Sequence, residues 1–477
     1  MSFDLFCEVH MKSVVNRISV LLATLHLAGT LGTAPAHSQV MSAMSHRAGT
    51  HSLAQEQTPQ AQPVPPHLRA LDQDNPTVAV PLIEQTWEKQ FEDYFQVNFS
   101  NESTTVTKIA ETLSQITQKT GKKPALLYIV PRPQQLELIL ITPEGKPIHK
   151  RIPEAKREAI QKQIQEMTRA LINPVFRDSN QYLAPAQQLY KWTIAPLEAD
   201  LQAQGITTLM FCVGGGLRTV PFAALHDGNQ FLIEKYSFSR IPAFKLTNMV
   251  YADLRKSSVL AMGASEFKDQ NPLPAVPVEL STITKALWQG NSFLNQDFTI
   301  ANLESQRASQ PYKIIHLATH AEFQPGDPSN SYIQFWDRKL TLDQMKQLPW
   351  SNPPLELLVL SACETAIGDE QAELGFAGLA IQAKAKSAIA SLWQVSDAGT
   401  LGLMTEFYQE LKTAPIKAEA LRQAQIAMLK GQVRMEGGKL HAPRGTIALP
   451  PELAAIGDEN FSSPYYWAAF TMIGSPW

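Results

Sequence analysis

The sequence predicts an α/β protein built on a mostly parallel sheet with helices on both faces. From residue 258 onward, strand-like and helix-like segments alternate, the order that a parallel sheet with crossover helices imposes. Residues 355–360 (LELLVL) form a continuous apolar run, as in a strand covered on both faces. Of the 477 residues, 44% are hydrophobic and 18% charged, enough for most of the chain to bury a core. The length corresponds to roughly two to four domains' worth of chain, although closely joined halves could pack as one unit. A formal charge of -3, from 41 Lys+Arg and 44 Asp+Glu, excludes general nucleic-acid binding by counterion release. Three cysteines are too few for a disulfide framework or a structural zinc site.

In chain order, residues 1–36 are expected to be an export signal. Lys12 and Arg17 flank the apolar stretch 18–33, Ala34-Pro35-Ala36 fits a cleavage site, and Met11 is an alternative start. An uncleaved anchor is the other reading, although the stretch falls short of the roughly 20 residues a span needs. No later segment resembles a transmembrane helix. Residues 37–78, rich in Gln and Pro, read as a disordered linker. Residues 79–119 read as a polar, helical lead-in without assignable chemistry. Strands follow at 125–130 and 136–142, then a turn at 143–146. Ile160, Ile164, Met167 and Leu171 space an amphipathic helix over 154–172, which Pro174 stops. A helix over 185–204 ends at Gly205. After a strand at 207–213, Gly214-Gly215-Gly216 would cradle a phosphate only if a helix began there. Pro221 argues against that helix, so a tight turn is expected. His226 reads as a turn residue rather than a base.

The second half carries the chemistry. Strands are expected at 258–262, 312–317, 355–360, 387–393 and 466–473, and helices at 278–288, 342–348, 371–384, 398–412 and 416–430. Ligands of open parallel sheets bind beyond the carboxyl ends of the strands. One strand runs into Ala318-Thr319-His320 and the next into Ser361-Ala362-Cys363. Neighbouring strands lie about 4.8 Å apart, so adjacency would bring imidazole and thiol to one rim. Such a pair is a thiolate beside an imidazolium, an activated nucleophile with its proton carrier. The competing readings are an inert core Cys363 and a disulfide between Cys363 and Cys212. His316 and His320 would align as metal ligands on a helix. The segment reads as a strand and lacks the adjoining Glu of a zinc peptidase, so no metal is expected and His316 reads as a core histidine.

HLATHA (316–321), LLVLSACETAIG (357–368), AIASLWQVSDAGT (388–400), LMTEFYQEL (403–411) and YYWAAFTMIGSPW (465–477) resemble the CHAT domain. This is a caspase-like domain related to separase and frequent in bacteria, cyanobacteria included. LYKWTIAPLEADL (189–201) and LRTVPFAALHDG (217–228) resemble its amino-terminal portion, so the likeness spans 120–477. The resemblance implies a catalytic caspase-like half at 251–477, preceded by a related, non-catalytic α/β half at 120–250. It implies a cysteine endopeptidase acting on a protein or peptide substrate, with no cofactor, which the expected export signal would place in the periplasm or outside the cell. Its catalytic pair maps to His320 and Cys363, and its oxyanion donors to the backbone N–H groups of Ala321 and Cys363. Two departures stand out: Ala321 and Lys384 occupy positions where relatives commonly have Gly. In separase-like relatives an acidic residue after the Trp strand reads a basic side chain before the cut. Asp397 resembles it; the other reading is a helix cap. Glu364 is either pocket lining or a solvated turn residue. No third catalytic side chain is evident. A regulatory protein is a further expected partner, and no nucleic acid is. The alternative function is a non-catalytic module that keeps the fold and recruits partners.

Overall fold

A computed structural model describes residues 64–99, 103–177, 179–361 and 369–477, together with the backbone of Glu364–Thr365. The expected export signal and most of the expected linker lie outside the described residues, as does Cys363. The linker ends earlier than expected, because Pro66–Asp72 and Pro76–Phe95 are helices. Pro66 and Pro76 sit at helix starts, where the missing N–H costs nothing, while Pro81 lies inside the second helix. Asn75 caps the second helix by accepting from Val78 N at 3.2 Å. Leu71, Ala79, Ile83, Trp87 and Phe91 of these helices are buried. A third helix, Val106–Thr120, starts at the cap Thr105 and stops at Gly121.

The strands in chain order are β1 (Pro124–Pro131), β2 (Leu136–Ile141), β3 (Ile148–Ile152), β4 (Thr208–Val213), β5 (Ser237–Ile241), β6 (Val259–Gly263), β7 (Gly290–Leu294) and β8 (Ile314–Ala318). They continue as β9 (Ala321–Phe323), β10 (Tyr332–Gln334), β11 (Lys339–Thr341), β12 (Leu355–Ser361), β13 (Glu364–Thr365) and β14 (Ala385–Ser391). The remainder are β15 (Arg434–Glu436), β16 (Lys439–Ala442), β17 (Gly445–Ala448), β18 (Glu459–Asn460) and β19 (Phe470–Gly474). One 11-stranded sheet runs β3-β2-β1-β4-β5-β19-β14-β12-β8-β6-β7. Its pairings are parallel except β2–β3, β1–β2 and β14–β19. Helices flank it, as the alternation of segments predicts. Two small four-stranded sheets, β11-β10-β9-β13 and β17-β16-β15-β18, stand beside it.

The two expected halves are continuous. β19 lies between β5 of the first and β14 of the second, and one hydrophobic core extends from Ala70 to Trp477. Three other expectations need correction. The helix over 185–204 is broken at the 3-10 turn Ala195–Leu197, where Pro196 interrupts the hydrogen-bond ladder. The helix over 278–288 is an α-turn, Val276–Ser281, continued by a π-turn, Thr282–Leu287. The closing strand starts only at Phe470, after the helical turn Pro464–Trp467.

Gly214–Gly216 is a turn, and it holds an anion from the chain itself. Gly216 N and Arg218 N donate to Glu373 Oε2 at 2.9 and 3.4 Å, and Thr219 Oγ1 donates to Glu373 Oε1 at 3.0 Å. Gly216 has φ 84°, a backbone state that glycine adopts without penalty. Burial pushes the Glu373 carboxyl up, and Arg218 with these donors pulls it back. The turn thereby anchors helix Glu370–Ala377 of the second half to the first.

Candidate active site

The carboxyl ends of β8, β12 and β14 open onto one cleft. Thr319, His320 and Ala321 line it from the end of β8, Ser361 from β12, and Gln394 and Val395 from β14. Asp397, Glu279, Glu322 and Tyr332 complete its polar wall. This is the rim where open α/β sheets bind ligands.

β8 and β12 are adjacent and parallel, with Leu357 opposite Ile314 and Ser361 opposite Ala318. Beyond them, β13 runs parallel to β9 with Glu364 opposite Glu322. Position 363 itself lies outside the described residues, but the chain on both sides of it is paired to the chain on both sides of His320. The Glu364 side chain also lies outside the described residues.

His320 is half-buried. Its Nε2 stands 2.8 Å from the Asn271 carbonyl oxygen. A carbonyl only accepts, so Nε2 carries the proton and Nδ1 is left as the basic nitrogen. Phe267 meets the ring edge-on, with centroids 4.5 Å apart. The backbone around the ring is pinned to β10: Thr319 Oγ1 donates to Gln334 O at 2.6 Å, and Gln334 N donates to His320 O at 2.8 Å. Hydrogen-bonded and non-bonded pairs alternate along an antiparallel ladder. With His320 and Gln334 bonded, the next pair, Ala321 and Ile333, is non-bonded. The Ala321 N–H therefore faces away from β10, toward the β13 side.

Asp397 is not the helix cap. Ser396 is, with its Oγ accepting from Gly399 N at 3.3 Å. Asp397 instead accepts from Ala275 N at 2.6 Å through Oδ2. Burial, with the nearby Glu279 charge, outweighs that bond and raises its pKa to about 7.

His316 is fully buried, with Nε2 2.8 Å from Glu279 Oε1 and Nδ1 3.3 Å from Tyr408 Oη. Ser361 Oγ donates to the same Glu279 oxygen at 2.7 Å. Among the described residues no group of three or more His, Cys, Asp or Glu could hold a metal ion. Cys212 is a free thiol buried in β4, with Sγ 3.7 Å from Pro242 O, so the disulfide reading does not hold. His226 sits in a turn, Nδ1 accepting from Gly228 N at 2.9 Å. Lys384 follows helix Leu379–Gln382 with φ 45°, which explains why glycine suits that position.

Sequence reasoning missed Glu279 and the Asn271 carbonyl. Glu279 sits in a segment recognisable only by its apolar residues. A backbone carbonyl leaves no mark on residue type.

The fold matches known structures. Separase in the Saccharomyces cerevisiae separase–securin complex aligns at a TM-score of 0.50 and 10% identity, covering 85% of this chain and 34% of separase. The chain thus spans about a third of that relative. The Arg-specific cysteine proteinase gingipain R aligns at a TM-score of 0.39 and 10% identity, covering 76% of this chain and 78% of that one. No curated protein matches the sequence. The description "CHAT domain" matches residues 183–475, a segment that contains β4, the seam strand β19 and every wall of the cleft. With more than half of its length inside that match, the chain belongs to the CHAT domain family.

Proposed function

We propose that the protein is a caspase-like cysteine endopeptidase that cuts after a basic residue. The observation that carries the proposal is the parallel pairing of β8 with β12, the strands that run into His320 and Cys363. In this reading Nδ1 of His320 takes the thiol proton while Nε2–H stays bonded to Asn271 O, so the ring is held in one orientation. The Cys363 sulfur attacks the substrate carbonyl carbon, and the N–H groups of Ala321 and Cys363 receive the oxyanion. The tetrahedral intermediate collapses as the C–N bond breaks and His320 returns the proton to the leaving amine. Water, deprotonated by the same ring, then hydrolyses the thioester and regenerates the thiol. Asp397 is the carboxylate that pairs with the basic side chain before the cut.

Export belongs to the same proposal, supported by the basic flank, apolar stretch and small-residue site of residues 12–36. Among the described residues no helix is long and apolar enough to cross a membrane. A regulatory protein partner is proposed by analogy with separase, which is seen bound to securin.

Fluorogenic peptides that vary the residue before the cut test the reading. Cleavage after Arg or Lys is expected, with loss of at least a hundredfold in Cys363→Ala and in His320→Asn. Undiminished cleavage by Cys363→Ala overturns it. A thiol that alkylates only at the rate of free cysteine, without cleavage, favours the non-catalytic interaction module.

A further inference from the structure

Beneath the cleft lies a layer of polar side chains that the peptidase mechanism does not use. Glu279, on helix Val276–Ser281, is 1% exposed. Burying an ionised carboxylate is costly unless it is bonded. Here one oxygen, Oε1, accepts from Ser361 Oγ at 2.7 Å and stands 2.8 Å from His316 Nε2. Ser361 ends β12, two residues before Cys363. His316 lies on β8, four residues before His320. A single carboxylate oxygen therefore lies against side chains of both strands that lead to the catalytic positions, bonded to Ser361 and in close approach to His316. The same residue lines the cleft beside Asp397, and its charge is one cause of the raised Asp397 carboxyl.

We propose that Glu279 is a positioning residue of this cleft, tying the end of β12 at Ser361 to His316 within β8 and setting the charge that Asp397 offers to a cationic side chain. The proposal rests on the reading of Asp397 as the substrate-binding carboxylate. The groups that share the wall with Asp397 are Glu279, His320 after β8, Glu322 on β9 and Tyr332 on β10. Of the charged ones, Glu279 is the neighbour whose charge raises Asp397.

The test uses agmatine, which carries the guanidinium of an arginine side chain. Its binding is followed by calorimetry at pH 7 in two buffers of different ionisation enthalpy, which counts the protons released. In the wild-type protein a bound cation displaces the proton that Asp397 retains near neutrality, so a fraction of a proton is released and affinity rises as pH passes through 7. Glu279→Gln keeps an oxygen for the Ser361 hydroxyl but removes the charge. Proton release at pH 7 is expected to fall, and the acid limb of kcat/KM for a basic peptide to move to lower pH. Glu279→Asp keeps the charge but shortens the reach. It is expected to retain proton release and to lose on the order of tenfold in kcat with little change in KM. An E279Q protein with the wild-type proton count and acid limb overturns the proposal. If E279Q does not fold, wild-type kcat in E279D overturns it and the expected loss supports it. A wild-type protein that cuts peptides but does not bind agmatine instead overturns the Asp397 reading on which the proposal stands.

Discussion

At the scale of single residues, Asp397 separates two roles that sequence leaves entangled. Its neighbour Ser396 caps the helix, so the Asp397 carboxyl is available to the cleft at no cost to the helix start. Its folded pKa, about 7, lies above the 3.8 usual for an aspartate carboxyl. The native state therefore binds more protons than the unfolded state between those values. The stability due to this group is present at low pH and is lost as pH rises from about 4 to about 7. Asp397→Asn removes that slope. Thermal denaturation is expected to show the variant gaining on the wild type between pH 5 and pH 8, and a constant difference would contradict the assignment. In peptide assays the same variant is expected to lose about 2 kcal/mol or more of its preference for Arg over a neutral isostere, read as a rise in KM for the basic peptide alone. His320 is equally informative. Its identity is legible in the sequence, because it ends a strand, but its tautomer is fixed by the Asn271 carbonyl, which residue types do not encode.

At the scale of elements, legibility follows burial chemistry. β1, β2, β4 and β12 are buried along their whole length and mostly apolar, Glu137 in β2 and Glu356 in β12 being the charged exceptions, and each is evident as a mainly hydrophobic run. β3 (IHKRI) and β7 (GNSFL) form the two edges of the large sheet and are largely half-exposed or exposed. Polar residues are tolerated there, so neither segment stands out from a loop. β5 (SFSRI) is fully buried yet polar. Two of its three polar side chains have internal partners: Ser237 Oγ meets Thr208 Oγ1 at 2.9 Å, and the Arg240 guanidinium donates to Val220 O at 2.8 Å and to Thr471 Oγ1 at 3.2 Å, while the buried Ser239 hydroxyl has none among the described residues. Hydrophobic patterning cannot anticipate that kind of burial. The turn into β14 shows the reverse case, a sequence oddity with a local cause. Lys384 has φ 45°, a left-handed state that costs a side-chain-bearing residue roughly 1–2 kcal/mol. Part of that gain is returned through the greater unfolded-state entropy of glycine. Lys384→Gly is therefore expected to stabilise the protein by about 0.5–1 kcal/mol, measured by urea denaturation. A loss of stability would mean that the lysine side chain makes a contact worth more than the backbone strain.

At the scale of the whole molecule, the position of β19 decides whether the two halves are separable. β19 pairs antiparallel with β14 along Ser387–Ser391 and parallel with β5 through Ile473 opposite Arg240. Without it, β5 and β14 would each present an unpaired, buried-type edge. The join is tight as well as continuous. Gly474 has φ 93°, and a Cβ there would stand 2.4 Å from the Lys386 carbonyl oxygen, so only glycine fits the crossing. Trp477 Nε1 donates to Met249 O at 2.8 Å across the seam, and Glu373 is held by the Gly216–Thr219 turn of the first half. The resemblance implies a related, non-catalytic amino-terminal half, and in this sheet that half is part of the support of the cleft. Residues 64–477 are therefore expected to unfold in one transition, with calorimetric and van't Hoff enthalpies equal. A chain ending after residue 250 is expected to lack a cooperative transition, and residues 251–477 alone to lack peptidase activity. Gly474→Val, which strikes the seam far from His320, is expected to lower the melting temperature and activity together. Two resolved transitions in the intact protein, or an active fragment 251–477, would show that the first half merely abuts the second; a single transition that G474V splits in two would instead locate the coupling at β19 itself.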